Sequence, residues 1–592
     1  MVNSVLLVRF ANSDSNSIGY LVAPSTSSSY LLLCDARNKD LSFCENSLVF
    51  VRYQVRTVDG HLIPVETLCY TGAVKLENPY NQTVLSRVIL SNFGNEMNDD
   101  GDGDQKYIEV FPIAAINLNT GEPIAIGVPP SQSRFYFVNN DQLENYYRSQ
   151  RTTFKFGYLS GTDVAIGLDI RHFGSGDKGW GDARMMGIAG RTGSGKTVLV
   201  GSLISAYATH QQMGILIVDP QGQFSSTDSS GRYTGELGKN PNIWSWKLGL
   251  ALAKAGRSQD ISLISASQVN FGNDLDTFIF LLSKYKFWEA IKPGIKRDKV
   301  TIAETDLIAY LENCLQSTNL AQLKWSNALF DTVVDLIANT YRSPDAERDF
   351  MLHREMNPNP PSKKAGNLWN YILSFFDPQQ HPYSMEKIVA DVLIGRKIVI
   401  FNADNLDEDI KDLYYLKLFS SLKVKAQRIY HQALASGTQS DVNALLVLDE
   451  AQRIIPEYAE SDMKVQILTV IRDAINTSRK LGIGWIFATQ SVTNIDKRIW
   501  AQLGTKFIGY GFGTGADKEC LLEICGRDTA VLNRYMRMPM PLQTGKYWFM
   551  VQGELIGVGN GNQCLFIDAF PSQSSLFDFN SYLFNTAIDP VS

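Results

Sequence analysis

The chain of 592 residues has room for about four structural units at roughly 150 residues each. With 44% hydrophobic and 20% charged residues it has the make-up of ordinary globular proteins, which excludes a wholly disordered, collagenous or coiled-coil chain. The net charge of −6 sits in the first 170 residues, which hold 12 Lys+Arg against 18 Asp+Glu, with 43 of each beyond them; any contact with nucleic acid must therefore come from a local patch or a lined pore rather than a basic surface.

Residues 1 to about 150 read as β. From Ser47 to Arg56 the residues alternate, Val49, Val51, Tyr53 and Val55 on one face and Arg52, Gln54 and Arg56 on the other, as in a half-buried strand. Short runs of the same kind recur at Val5–Val8, Tyr30–Leu33, Arg87–Leu90, Tyr107–Leu118 and Arg134–Val138, a spacing that suits a small barrel or sandwich. The acidic turn Asp99–Asp104 is read as a solvated loop, because Gln105 and Phe111 occupy the sixth and twelfth positions counted from its second Asp, where an EF-hand needs its Gly and its last ligand.

From about 184 the pattern becomes strand, Gly-rich turn, helix and strand: Met185–Ala189, a helix carrying Leu199, Leu203, Ile204 and Tyr207, then Ile215–Val218. Helical stripes follow, Leu275, Phe278, Ile279 and Leu282, then Leu329, Val333, Leu336 and Ile337, marking an all-helical insertion with an exposed loop at Asn357–Gly366. The α/β pattern resumes with the strand Lys397–Phe401, a helix near 409–432, the strand Leu445–Leu448, a helix near 461–480 and the strand Ile483–Ala488. No run approaches the roughly 18 apolar residues of a membrane span, and no secretory leader is recognisable, so the expectation is a cytoplasmic protein. Seven cysteines without a CxxC pair read as reduced, structural thiols.

Gly190-Arg191-Thr192-Gly193-Ser194-Gly195-Lys196-Thr197 fits GxxxxGK[ST] and lies between a strand and a helix. Glycines there let backbone N–H groups wrap the phosphates of ATP, Lys196 reaches the β and γ phosphates, and the Thr197 hydroxyl suits Mg²⁺. The apolar strand Leu445–Leu448 ends in Asp449-Glu450, placing one carboxylate for the metal (Asp449) and the next to orient an attacking water (Glu450). A third strand ends in Ala488-Thr489-Gln490; Gln490 is the candidate γ-phosphate sensor, the alternative being a polar residue that merely ends a strand. Arg479, at the end of a helix, either complements the helix dipole or acts as an arginine finger on a neighbouring subunit, and Arg472, Arg453, Arg527 and Arg534 compete for that role.

RTGSGKT at Arg191–Thr197, DPQGQF at Asp219–Phe224, LLVLDEAQ at Leu445–Gln452, SRKLGIG at Ser478–Gly484 and ATQS at Ala488–Ser491, following a barrel-like β region, resemble the HerA-like ATPases of the HerA/FtsK superfamily. The resemblance implies an α/β architecture: an N-terminal β-barrel at 1–165, a RecA-like P-loop core at 166–265 and 385–555, a helical insertion at 266–384 and a C-terminal extension at 556–592. It implies a homohexameric ring that translocates double-stranded DNA through its centre and works with a separate nuclease or other effector subunit, in DNA-end processing or anti-phage defence. It matches Lys196 and Thr197 to Walker A, Asp449 and Glu450 to Walker B, Gln490 to the sensor-like glutamine and Arg479 to the arginine of the family's RK-x-G segment. One departure stands out: where the family has DPxGEF or DPxGEY, this chain has the neutral Gln223 in place of the acid, while Asp219 remains a candidate near the nucleotide. Gln223 lends weight to an alternative, a nucleotide-gated ring scaffold that regulates an effector with little translocation. A conjugative coupling or chromosome-segregation pump is disfavoured, since those relatives generally carry transmembrane segments.

Two basic runs, Lys292, Lys296, Arg297 and Lys299, then Lys363 and Lys364, read first as solvated faces rather than DNA contacts.

Overall fold

The computed structural model describes residues 17–34, 47–57, 59–77, 105–143, 153–173, 184–237, 245–341, 361–438, 440, 442–553 and 564–584. The expected strands Val5–Val8 and Arg87–Leu90 and the turn Asp99–Asp104 lie outside these residues.

Among the described residues seven strands come first: β1 (Ser17–Val22), β2 (Tyr30–Cys34), β3 (Leu48–Arg56), β4 (Leu62–Glu77), β5 (Gln105–Asn117), β6 (Pro123–Ile124) and β7 (Arg134–Phe137). They run in the order β2-β1-β7-β3-β4-β5, and β2 also pairs with β5, so six antiparallel strands close into a barrel with β6 appended to β5. Closure satisfies the edge groups that an open sheet would leave bare. Ile18, Tyr30, Leu32, Val49, Val51, Val65, Val110 and Phe135 fill the interior. In β3 the expected alternation holds from Val51 to Arg56, but Leu48 and Phe50 are buried too, because the outer face of the barrel packs there on the rest of the protein.

The second sheet has eleven strands: β8 (Thr153–Leu159), β9 (Ala165–Asp169), β10 (Met185–Ala189), β11 (Gly214–Asp219), β14 (Ile261–Ser265), β17 (Ile398–Asn402), β18 (Ala444–Leu448), β19 (Ile483–Thr489), β20 (Thr505–Ile508), β21 (Trp548–Gln552) and β22 (Cys564–Ala569). Two short pairs lie outside it, β12 (Glu236–Leu237) with β13 (Trp246–Lys247), and β15 (Val269–Asn270) with β16 (Tyr383–Ser384). The order is β14-β17-β11-β18-β19-β10-β20-β21-β22-β8-β9, with the first seven strands parallel and the last four added antiparallel. The central parallel strands are apolar and buried along their whole length, as a sheet covered on both faces requires.

This sheet departs from the expected boundaries at both ends. Strand β8, assigned by sequence to a barrel ending at 165, belongs to the large sheet beside β9, which begins at that boundary, and so does β22, assigned to a C-terminal extension beginning at 556. A short strand signals its periodicity but not its partner, so sheet membership was out of reach of a local reading. The C-terminal helices are fastened to the same edge: Asn580 accepts from the Lys155 amide and donates to its carbonyl, at 2.8 and 2.7 Å.

Among the described residues the insertion holds five helices: α2 (Leu275–Lys284), α3 (Phe287–Ile291), α4 (Arg297–Leu315), α5 (Asn327–Tyr341) and α6 (Pro361–Ser374), numbered after the P-loop helix α1 (Lys196–Ala208). Phe278, Phe287, Trp325 and Trp369 interlock at its centre, Phe278 meeting Trp369 edge-on at 4.7 Å between ring centroids. At its base β15 pairs in parallel with β16, and the Asn270 amide donates to the carbonyls of His381 and Tyr383. The loop expected at Asn357–Gly366 is corrected from Pro361 onward: Pro361 opens α6, where its fixed φ and missing N–H cost nothing. Lys363 and Lys364 ride on the first turn of that helix. The long helix α8 (Glu408–Ala435) follows α7 (Met385–Leu393), and α9 (Asp462–Leu481) packs along α8, close to the positions read from periodicity.

Candidate nucleotide site

The P-loop leaves β10 at Ala189 and enters α1 at Lys196. Its start is stitched to both neighbouring strands: the Gly190 N–H donates to the Thr489 carbonyl at 3.1 Å and the Arg191 N–H to the Tyr510 carbonyl at 3.0 Å. Gly195 has a φ of 88°, and a Cβ there would lie 2.4 Å from the Tyr547 ring, so only glycine fits the turn into the helix. Gly193 is also left-handed, and the Ser194 hydroxyl is buried inside the loop.

Strand β18 ends two positions over, separated from β10 by β19 alone. This order brings three strand ends to one edge of the sheet, the place where parallel α/β sheets bind ligands. Glu450 reaches the P-loop: its Oε1 lies 2.9 Å from Lys196 Nζ, and the pair is nearly closed to solvent, with side chains 1% and 6% exposed. Gln490 donates to the same oxygen at 2.7 Å, and Gln452 donates to Oε2 at 2.5 Å. Glu450 adopts a left-handed conformation, φ 46°, which costs a non-glycine residue on the order of 1–2 kcal/mol and turns its carboxylate back toward Lys196. Burial pushes the Glu450 carboxyl up, but the Lys196 charge and the hydrogen bonds from Gln490, Lys196 and Gln452 outweigh it, so the group stays ionised below the usual carboxylate range.

Asp449 behaves in the opposite way. It is wholly buried and neither carboxylate oxygen has a hydrogen-bond partner. Burial raises its pKa to about 7, against the pull of Lys196 and with a further push from Glu450 and Asp219. A buried carboxylate without partners needs a proton or a cation, and its oxygens, like the Thr197 hydroxyl, are hard donors of the kind Mg²⁺ prefers. The residues present therefore fit a magnesium ion. Among the described residues no cluster of three or more His, Cys, Asp or Glu competes as a metal site.

Lys196, Thr197, Glu450 and Gln490 line one cavity of about 450 Å³ with Arg191, Thr192, Gly193 and Gly195. That volume falls in the range of small-molecule sites. Sequence reasoning missed Gln452, Gln221, Leu237 and Tyr547; the first follows directly after the DEA of the strand end, while the other three come from segments that only the fold brings to the P-loop. Gln223, the departure noted above, lines the cavity and accepts from the Thr197 hydroxyl at 3.2 Å. Asp219 does not line it: its carboxylate accepts from the amides of Gln223 and Phe224 and from the Ser225 hydroxyl, so it shapes the turn after β11.

Arg479 lies on α9, and its side chain is outside the described positions. Three of its competitors are engaged within the chain: Arg472 is paired with Asp496, Arg453 lies 3.9 Å from the Glu408 carboxylate, and Arg534 lies 4.8 Å from the centroid of Phe566. In the insertion, Lys292 and Lys299 sit over the Tyr341 ring at 3.6 and 5.7 Å, and Lys299 donates to the Thr340 carbonyl.

Residues 154–422, which contain the P-loop, match the family model described as Helicase HerA, central domain. Over that stretch the chain is similar to the central domain of the HerA-like P-loop ATPases. A second model, described as Zonular occludens toxin (Zot), matches residues 384–507, the stretch holding β18 and β19. No curated protein matches this HerA-like chain. Among solved structures it is similar to the genome packaging NTPase B204 of Sulfolobus turreted icosahedral virus 2 in complex with ATP-gammaS, at 10% identity, covering 65% of this chain and 97% of that one, with a TM-score of 0.25. It is also similar to the bacterial conjugative coupling protein TrwBdeltaN70, at 14% identity over 74% and 92% of the two chains with a TM-score of 0.33, and to the pCW3 conjugation coupling protein TcpA, at 9% over 90% and 93% with a TM-score of 0.28. Among the described residues no helix is long and apolar enough to cross a membrane.

Proposed function

We infer that this HerA-like ATPase hydrolyses ATP with Mg²⁺, assembles as a homohexamer and drives double-stranded DNA through the ring on behalf of a separate nuclease or effector, in DNA-end processing or anti-phage defence. The observation that carries the hydrolytic part is the convergence on one cavity of Lys196, Thr197, Glu450 and Gln490, with the unpartnered Asp449 carboxylate buried at the adjoining strand end. Lys196 binds the terminal phosphates, which requires it to leave Glu450; Thr197 and Asp449 hold the metal; Glu450 then orients the attacking water and takes up its hydrogen bond, with Gln490 fixing its carboxylate. Bound Mg²⁺ supplies charge neutralisation at the phosphates. The motor and ring parts rest on the family resemblance, and the trans-acting arginine, Arg479 by position, belongs with them.

The test is ATP turnover of the purified protein with and without duplex DNA, beside Lys196→Ala and Glu450→Gln. DNA-stimulated turnover lost in both variants supports the motor. Slow turnover indifferent to DNA favours the second reading, a nucleotide-gated scaffold. The contact that favours it is Gln223, which holds the Thr197 hydroxyl with a neutral side chain.

A further inference from the structure

Asp517 stands in the first turn of the helix Gly515–Ile524. A carboxylate there gains from the helix dipole whatever else it does, but this one is turned toward two other segments. Its Oδ1 accepts from Ser491 Oγ at 3.0 Å, from Thr493 Oγ1 at 3.1 Å and from the Thr493 amide at 3.4 Å, all in the turn that follows β19. Its Oδ2 lies 3.9 Å from the guanidinium of Arg191 in the P-loop. The Asp517 side chain is 12% exposed, whereas Arg191 is 55% exposed and lines the nucleotide cavity. The turn is braced from its own side as well, since the Thr489 hydroxyl donates to the Ser491 carbonyl at 2.8 Å.

Gln490 sits between these braces, and it is the residue that donates to Glu450. A continuous path therefore runs from Arg191 through Asp517, Ser491 and Gln490 to Glu450 and back to Lys196, both ends lying in the P-loop. A carboxylate accepting three hydrogen bonds from one turn holds that turn more firmly than neutral contacts do. We propose that Asp517 is a positioning residue that fixes the 489–493 turn so that Gln490 meets Glu450, and so ties the orientation of the water-activating carboxylate to the P-loop through Arg191. The proposal rests on Glu450 being the water-orienting group of the ATPase reading above.

The experiment is a steady-state double-mutant cycle on the full chain, with Asp517→Asn, Gln490→Ala and the pair, alongside nucleotide binding followed with a fluorescent ATP analogue. Asp517→Asn is expected to lower kcat about tenfold while KM for ATP and analogue affinity change by no more than about twofold. The double variant should turn over no more slowly than Gln490→Ala alone, because both changes remove one interaction. A purely structural role would lower the melting temperature and multiply with the Gln490 loss. Unchanged kcat in Asp517→Asn, or losses that multiply, overturns the proposal. Should Asp517→Asn not fold, Ser491→Ala removes a donor, leaves the carboxylate, and is judged by the same criteria. If the wild-type chain hydrolyses no ATP, the function reading itself fails; wild-type turnover with an indifferent Asp517→Asn defeats this proposal alone.

Discussion

The barrel built from β1–β5 and β7 closes through the β2–β5 pairing, whereas the eleven-stranded sheet stays open and lets β10, β18 and β19 end side by side. Both bury apolar strands, yet their buried polar groups differ. In the barrel the buried charge is Glu66, matched by Arg52 at 2.6 Å and so settled within the fold. At the open sheet's edge Glu450 is over-supplied with partners and Asp449 has none. A closed sheet can satisfy itself; the parallel sheet leaves strand ends where unsatisfied chemistry accumulates.

Several measurements can break or sharpen that contrast. The largest effect is expected from Lys196→Ala, which removes the cation proposed to bind phosphate and leaves Glu450 and Asp449 buried without it. Turnover should drop at least about a hundredfold, and stability, read by denaturant titration, should fall by about 3–5 kcal/mol. The corresponding break in the barrel, Glu66→Gln, should be milder, because Arg52 is part-exposed and can be solvated; a loss as large as that of Lys196→Ala would erase the distinction.

Trp485, fully buried in the central strand β19, should cost about 3–5 kcal/mol as Trp485→Ala, while Val51→Ala in the barrel should cost less, in step with the smaller volume removed. Equal costs in the two would show that removed volume does not set the loss.

The pH response follows from Asp449, whose pKa is raised to about 7 from 3.8. Its protonated form favours the folded state, so its contribution is fully present below 3.8 and is lost as pH rises toward 7. In metal-free buffer Asp449→Asn should flatten stability across that window, and in the wild type the Mg²⁺ concentration needed for half-maximal turnover should rise as pH falls below 7.

The smallest change is Gln223→Glu. A carboxylate beside the Thr197 hydroxyl should lower the Mg²⁺ requirement by about two- to fivefold, which a metal titration of turnover reads directly. An unaltered titration would mean that Gln223 acts only as a neutral acceptor.

Much of the core was legible because its signals are local. Met185–Ala189 was read with its true ends, and β18 and β19 to within one residue at each end, since uninterrupted apolar runs bounded by Gly or carboxylates have few other readings. The positions of α8 and α9 followed from periodicity in the same way. The sixteen-residue strand β4 escaped because its residues are buried continuously in the middle and exposed at both ends, which breaks the alternation. Gln452 and Asp517 escaped because nothing about a lone Gln or a helical Asp reveals what it faces.

By itself, the sequence determined the chemistry of the strand ends: glycines that free the backbone, a lysine and a threonine at the helix start, and adjacent carboxylates after an apolar strand. Those are properties of a few consecutive residues, and local geometry suffices to interpret them. Which of the two carboxylates pairs with Lys196, that β8, β9 and β22 complete the ATPase sheet, and that Asp517 reaches the turn after Gln490 were decided by tertiary structure alone. Each depends on segments tens to hundreds of residues apart, brought together by the pairing of strands and the burial of their faces.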